Sequence, residues 1–253
     1  MRPDRRGLRL VSNFVTLAEH AEVVAWLETV HPLWERLLQR PVYWLGSWQF
    51  ACLGYYHPPR GTVDRCVRAE PFPPVLQAWV ARIQRMVRSQ FPASYIPPGW
   101  ALDTCLVNFY GDRITDGRRE DRARVGAHRD FEPGPVASVS IGERAMFQFT
   151  TSKGVVVDQM WLEDRSLQVF AGPRHKDQLF HRVQRVERKG GEALPPALDG
   201  FRTRRVNFTF RHVPQEVVVD WAEMAPAHRE AVRDYVETLA AHAPHWASVS
   251  EAS

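Results

Sequence analysis

The sequence predicts an α+β fold, mainly β, in which a barrel or sandwich follows a helical N-terminal part. Three observations carry this. Between residues 102 and 213, seven short runs rich in β-branched and aromatic residues follow one another at strand-like intervals. Before residue 102, two stretches repeat their apolar residues at helical spacing. No internal repeat and no separating linker interrupts the 253 residues, so a single domain is expected over 1–253. It divides into an N-terminal part (1–101), a β core (102–213) and a closing helix with a tail (214–253).

In order along the chain, residues 8–14 read as a short strand. Thr16-Leu-Ala-Glu19 has the form of a capping box and opens a helix carrying Val23, Val24, Trp26, Leu27 and Val30. Residues 41–68 are crowded with aromatics, Gly and Pro. A second helix starts at Pro73-Pro74, where a missing N–H is harmless, and runs to about Phe91. Val75, Leu76, Trp79, Val80, Ile83, Met86 and Val87 form its apolar face. Pro92 and Pro97-Pro98-Gly99 end it. Strands are expected at 104–110, 136–141, 145–150, 155–162, 166–170, 179–186 and 204–213. Residues 111–125 and 188–202 read as long polar loops, and a last helix is expected over 230–241.

Composition narrows the classes. With 44% hydrophobic and 25% charged residues the chain is globular and not disordered. A net charge of +4 with many arginines favours an anionic partner such as nucleic acid. Three cysteines, Cys52, Cys66 and Cys105, are odd in number and not closely paired. That argues against a disulfide framework or a Cys-rich zinc site and for a reducing compartment. No run approaches the roughly 18 apolar residues of a membrane span, and no signal core follows the first residues. A cytoplasmic monomer with no membrane partner is the expectation.

The chemistry centres on Val125-Gly-Ala-His128-Arg-Asp130-Phe-Glu132. On extended backbone, His128 and Asp130 point to one face. With one distant His they make the two-His-one-carboxylate set that holds ferrous iron with positions open. A His-x-Asp triplet is cheap, and the chain has a second, His175-Lys-Asp177. That one lies in a Gly-Pro-Arg-His-Lys-Asp segment and reads as a solvated turn. His181 sits among apolar residues, where a lone His is more often a satisfied core residue. In Arg204-Arg-Val-Asn-Phe-Thr-Phe-Arg211, the residues Arg205, Asn207, Thr209 and Arg211 share one strand face. Two guanidiniums on such a face call for paired anionic charge, as a dicarboxylate would supply through bidentate contacts.

Taken together, Asn108-Phe-Tyr110, His128-x-Asp130, Val136-Ala-Ser-Val-Ser-Ile-Gly142, Ala145-Met-Phe-Gln-Phe149, His181 and Arg205-x-Asn-x-Thr-x-Arg211 resemble, in order and spacing, the AlkB-like dioxygenases. The resemblance is strong over 102–213 and weaker before. It implies a double-stranded β-helix (jelly-roll) core with N-terminal helices and a nucleotide-recognition lid. It also implies Fe(II), with 2-oxoglutarate and O₂ as co-substrates. His128, Asp130 and His181 would ligate iron. Arg205 would pair with the distal carboxylate of 2-oxoglutarate and Arg211 with its metal-chelating end, while Asn108, Tyr110 and Asn207 add hydrogen bonds. Trp48 and Gly54-Tyr55 match the family's lid, which implies that Trp48 covers the target base with Tyr55 and Tyr56 nearby. Ordinary core packing is the competing reading for these aromatics. The implied activity is oxidative demethylation of N-alkylated bases (1-methyladenine, 3-methylcytosine type) in DNA or RNA. Arg60, Arg65, Arg68 and the arginines of 111–125 would hold phosphates. Two departures bear on substrate: residues 111–127 are longer than in the simplest members, and Glu132 replaces an Asp that approaches the base. They keep open oxygenation of a protein side chain or small molecule; a non-catalytic metal-binding module on the same barrel is a separate alternative.

Overall fold

The structure is a computed structural model and describes residues 6–35, 38–48, 66–130, 132–187 and 192–251. The N-terminal part comprises β1 (Leu8–Val11), α1 (Leu17–Leu27), β2 (Leu33–Glu35), β3 (Arg40–Leu45), β4 (Ser47–Trp48), β5 (Cys66–Arg68) and α2 (Pro74–Gln90). The β core follows as β6 (Thr104–Thr115), β7 (Arg118–Asp121), β8 (Val125–His128), β9 (Val136–Gly142) and β10 (Ala145–Thr150). It continues through β11 (Val156–Leu162), β12 (Leu167–Phe170), β13 (Phe180–Val186) and β14 (Phe201–Arg211). β15 (Val218–Val219), α3 (Pro226–Ala240) and α4 (Pro244–Glu251) close the chain.

These strands form a larger sheet in the order β1-β12-β9-β14-β6-β3-β2, with β7 paired to β6, and a smaller sheet in the order β11-β10-β13-β8. A third, short sheet joins β15, β5 and β4. The alternation along β14 explains how the layers stack. Val206, Phe208 and Phe210 are fully buried toward the helices, where Trp79 of α2 meets Phe208 edge-on at 5.5 Å. Each large apolar side chain buried this way contributes about 1.5–3 kcal/mol. On the other side of the larger sheet, Tyr110, Val136 and Phe170 join Phe147, Phe149 and Val183 of the smaller sheet in one apolar cluster. The two sheets therefore face each other as the jelly-roll expectation requires, and the polar row of β14 looks into the space between them.

The helix signals act as read. Thr16 Oγ1 accepts from the Glu19 amide at 3.2 Å, and the Glu19 carboxylate accepts from the Thr16 amide at 2.8 Å. Glu19 also pairs with Arg82 of α2 at 2.9 Å, tying the two helices together. α3 starts at Pro226, earlier than expected, because proline suits a first helical turn.

The segment 111–125 is not a loop. β6 runs on to Thr115, turns at Asp116-Gly117 and returns as β7. Both turn residues have positive φ (49° and 73°), as a tight two-residue hairpin demands and as Asp-Gly supplies. Arg204 pins the hairpin base: its guanidinium lies 3.3 Å from Asp112, 3.4 Å from Asp121 and 2.8 Å from Glu143. Among the described residues no helix is long and apolar enough to cross a membrane.

Candidate active site

His128 and His181 are register partners across β8 and β13, and their rings lie 4.3 Å apart. Asp130 follows the end of β8. One ligand atom from each of His128, Asp130 and His181 can be chosen so that all lie within 4.8 Å of one another, and among the described residues this is the one group of three with metal-ligand character. The Nδ1 of His128 is engaged by the Gly126 carbonyl at 2.8 Å, which orients Nε2 as the ligating nitrogen. His181 Nε2 is 3.4 Å from Asp130 Oδ2, a buried oxygen with no hydrogen-bond partner. A buried carboxylate oxygen left without a partner is costly, and a cation bound between these three side chains removes that cost. The donor set fits Fe(II).

Electrostatics keep the corner ready to ligate. Burial pushes the Asp130 carboxyl upward, but Arg211, joined by His181 and His128 when these are protonated and by Lys176, outweighs it and holds the group below the usual carboxylate range. Burial lowers His181 to about 3, only partly offset by Asp130, so its imidazole is neutral at ordinary pH. Phe147 stacks on His181 at 5.6 Å and Phe170 lies 5.0 Å away, forming an apolar wall that limits water.

A cleft of about 790 Å³ joins this corner to the polar face of β14. Arg205 is 1% exposed; its Nη2 donates to Ser140 Oγ at 2.9 Å, while Nε and Nη1 have no hydrogen-bond partner. Burial lowers its guanidinium to about 10. The Tyr110 ring is flanked by Arg205 and Arg40, each 5.0 Å from its centroid. Two buried guanidiniums beside Tyr110, with two donors of Arg205 left unsatisfied, make a socket for a carboxylate. Asn108 accepts from Arg40 Nε at 3.0 Å, and Asn207 donates to Ser138 Oγ at 2.7 Å while accepting from Thr209. Both asparagines line the cleft, already oriented by these bonds. Arg211 contacts Asp130 Oδ1 at 2.8 Å and Glu132 at 3.2 Å, so in this structure it braces the metal corner directly.

Other expected residues fall elsewhere. Trp48 does not line the cleft. It is 3% exposed and packs edge-on against Trp246 of α4 at 5.3 Å and Tyr235 of α3 at 6.3 Å, which corrects its assignment to the substrate lid. Gly46, with φ of 79°, breaks the chain between β3 and β4 and turns Trp48 under the C-terminal helices. Trp44, four residues earlier, lines the cleft instead. Tyr55 and Tyr56, with Arg60 and Arg65, lie outside the described residues, and Arg68 pairs with Asp220 at 2.7 Å. Glu132 is buried in the cleft wall. His175, expected in a solvated turn, is 1% exposed and meets Phe149 edge-on at 4.9 Å. The cause is a wide turn over Pro173–Gln178 that rolls His175 and Lys176 inward.

Sequence reasoning missed Arg40, Trp44, Lys176 and Asp177, all of them cleft residues. Beside the cleft, a polar notch of about 290 Å³ is lined by Gln39, Asp121, Arg122 and Arg124, and it shares Leu38, Arg40, Val125 and Gly126 with the cleft itself.

Comparison with known proteins agrees. The 2OG-Fe(II) oxygenase superfamily matches residues 7–211. The DNA N(6)-methyladenine demethylase ALKBH1D of Arabidopsis thaliana is 26% identical over 226 residues, covering 82% of this chain and 50% of that protein. The chain thus spans about half the length of this curated relative. The solved structure of OsALKBH1 aligns with a TM-score of 0.50 at 19% identity, over 81% of this chain and 98% of the other, a likeness of fold. The chain therefore belongs to the 2OG-Fe(II) oxygenase superfamily, and its His128–Asp130–His181 triad suits the iron which that superfamily uses.

Proposed function

We propose that this dioxygenase, acting as one catalytic unit, oxidatively demethylates N-alkylated nucleobases in DNA or RNA, in a repair role. The observation that carries this reading is the single cleft of about 790 Å³ shared by the His128–Asp130–His181 corner and the Arg205 socket. It is large for a five-carbon dicarboxylate alone and leaves space for a planar base beside it. When bound, Fe(II) with 2-oxoglutarate and O₂ oxidises the N-methyl carbon, giving succinate, CO₂ and an N-hydroxymethyl group that leaves as formaldehyde. The protein supplies placement. Arg205, with Tyr110 and Ser140 around it, would hold the distal carboxylate, and Asn108 and Asn207 would bond its neighbouring oxygens. Arg211 keeps Asp130 ionised and aimed, and the Phe147–Phe170 wall excludes water.

Four features support a nucleic-acid substrate. The relative named above is a DNA demethylase by name. The notch beside the cleft presents Arg122 and Arg124, suited to the phosphates that flank a base drawn into the cleft. The hairpin tip adds the exposed Arg118 and Arg119. Trp44 is one of the aromatics at the cleft wall, and stacking of a base on it would be worth about 1–3 kcal/mol.

The test is formaldehyde release from oligonucleotides carrying 1-methyladenine, 3-methylcytosine or N6-methyladenine, by the wild type and by Asp130→Ala. Turnover by the wild type alone is expected. Succinate formation without turnover of any methylated base would instead favour a protein side chain or small molecule, the reading that Glu132 in the cleft wall keeps in play.

A further inference from the structure

The strand that presents the first two triad residues is the least secured in its sheet. β8 is a four-residue edge strand, and its register partners on β13 are only two, His128 with His181 and Val125 with Val183. An edge strand has a ladder on one side only, and Asp130 lies past its end. Something other than sheet pairing must set where the Asp130 carboxylate sits.

Arg211 grips the carboxylate itself, and two further cations hold the backbone around it, running in opposite directions. Lys176 Nζ, on the wide turn Pro173–Gln178, donates to the main-chain carbonyl of Asp130. Arg129, next to Asp130, donates from Nη1 to the main-chain carbonyl of Asp177 at 2.7 Å. Its guanidinium also lies over the Phe180 ring at 5.0 Å. Each segment thus holds the backbone of the other. Lys176 is 6% exposed, and lysine is almost never buried without a paired role. Burial lowers its ammonium, and the carboxylates of Asp130, Glu132 and Asp177 partly offset that. The turn is shaped to deliver it: Gly172 opens it at a φ of 74°, where a Cβ would collide with the Tyr95 ring. The Leu179 amide closes the turn on the Arg174 carbonyl at 3.0 Å.

We propose that Lys176 and Arg129 form a reciprocal clamp that fixes Asp130 in its ligating position, with Lys176 as a positioning residue of the metal site. This rests on the assignment of His128, Asp130 and His181 as the metal ligands. The clamp acts on backbone carbonyls, so it places the Asp130 carboxylate without competing for its oxygens, one of which Arg211 already engages.

The experiment titrates the full chain anaerobically with Co(II), whose visible bands report coordination geometry, and compares the wild type with K176M, K176R, R129M and D130A. K176M is expected to weaken Co(II) by about 10–100-fold, the usual cost of removing a group that orients a ligand, and to alter the band pattern. K176R, which keeps a cationic donor, restores most of the affinity. R129M weakens binding in the same direction with little change in the melting temperature of the metal-free protein, because its side chain is on the surface. Co(II) affinity within about twofold of wild type in both K176M and R129M, with unchanged bands, overturns the clamp. If K176M does not fold, R129M decides alone. Wild-type affinity in D130A would instead overturn the metal assignment, so the two failures are distinct.

Discussion

Replacing Arg205 with Met should separate co-substrate binding from stability, moving them in different directions. The side chain is 1% exposed and leaves Nε and Nη1 without partners. A carboxylate accepting from both gains about 1.5–3 kcal/mol per charge-assisted bond. Losing the pair forfeits about 3–6 kcal/mol, and even the lower figure raises the Kd for 2-oxoglutarate by roughly 100-fold. In the metal- and ligand-free protein the balance differs. Met fills a similar volume and removes two unsatisfied buried donors, each costing about 1–3 kcal/mol, against the lost bond to Ser140 and the lost contact with Tyr110. The melting temperature should therefore hold or rise by a few degrees, at about 2–4 °C per kcal/mol for a chain of this size. Calorimetric titration of 2-oxoglutarate and a thermal melt of R205M measure both. A Kd within about threefold of wild type would remove Arg205 from the anchor, and a melting temperature lower by more than about 5 °C would show that its charge holds the fold instead.

Alanine at Asp130 or His181 should abolish Fe(II) binding, whereas Asp177→Ala should retain it, because Asp177 serves the clamp through its backbone carbonyl; anaerobic iron titration reads all three. Acid should destabilise the metal-free protein before ordinary carboxylates titrate. His181 has a folded value of about 3 against an unfolded value near 6.5, so the unfolded chain takes up the extra proton as pH falls below about 6.5. That removes about 2 kcal/mol by pH 5, and the Asp130 contribution follows lower still, below its unfolded value; denaturant melts at pH 7 and pH 5 that coincide would contradict it. Removing both Arg118 and Arg119 should weaken binding of a methylated oligonucleotide and flatten its salt dependence by about one unit of slope per lost phosphate contact. An unchanged slope would take the hairpin tip out of the interface.

Much of the β core is legible because one face of each strand is apolar and the other is not. Arg205-x-Asn-x-Thr-x-Arg211 declares its orientation in the residues themselves, and the structure keeps that alternation intact. Val75 through Val87 show the same for α2. What resists reading is decided by contacts between distant segments. Trp44 and Trp48 look alike in sequence and share one core, and only the turn at Gly46 and the arrival of α3 and α4 leave Trp44 at the cleft wall and carry Trp48 away from it. His175 and Lys176 look like turn residues because their neighbours are polar, yet a wide turn rolls them inward. The hairpin at 111–121 did carry a signal, Asp116-Gly117, that the run of arginines around it masks. Arg40 precedes a proline in an aromatic-rich stretch, and nothing local marks it as the partner of Tyr110 and Asn108.

The placement of the two halves of the site on different sheets has a mechanical consequence. Arg205 stands on β14, inside the larger sheet, whereas His128 and His181 stand on β8 and β13 of the smaller one. Any molecule gripped by the arginine and by a metal at the histidines is a strut between two layers otherwise joined mainly by apolar packing. Metal alone tightens one layer, and a dicarboxylate alone occupies the other. Together they close a loop through the sandwich, so their stabilising effects should exceed the sum of the two taken singly.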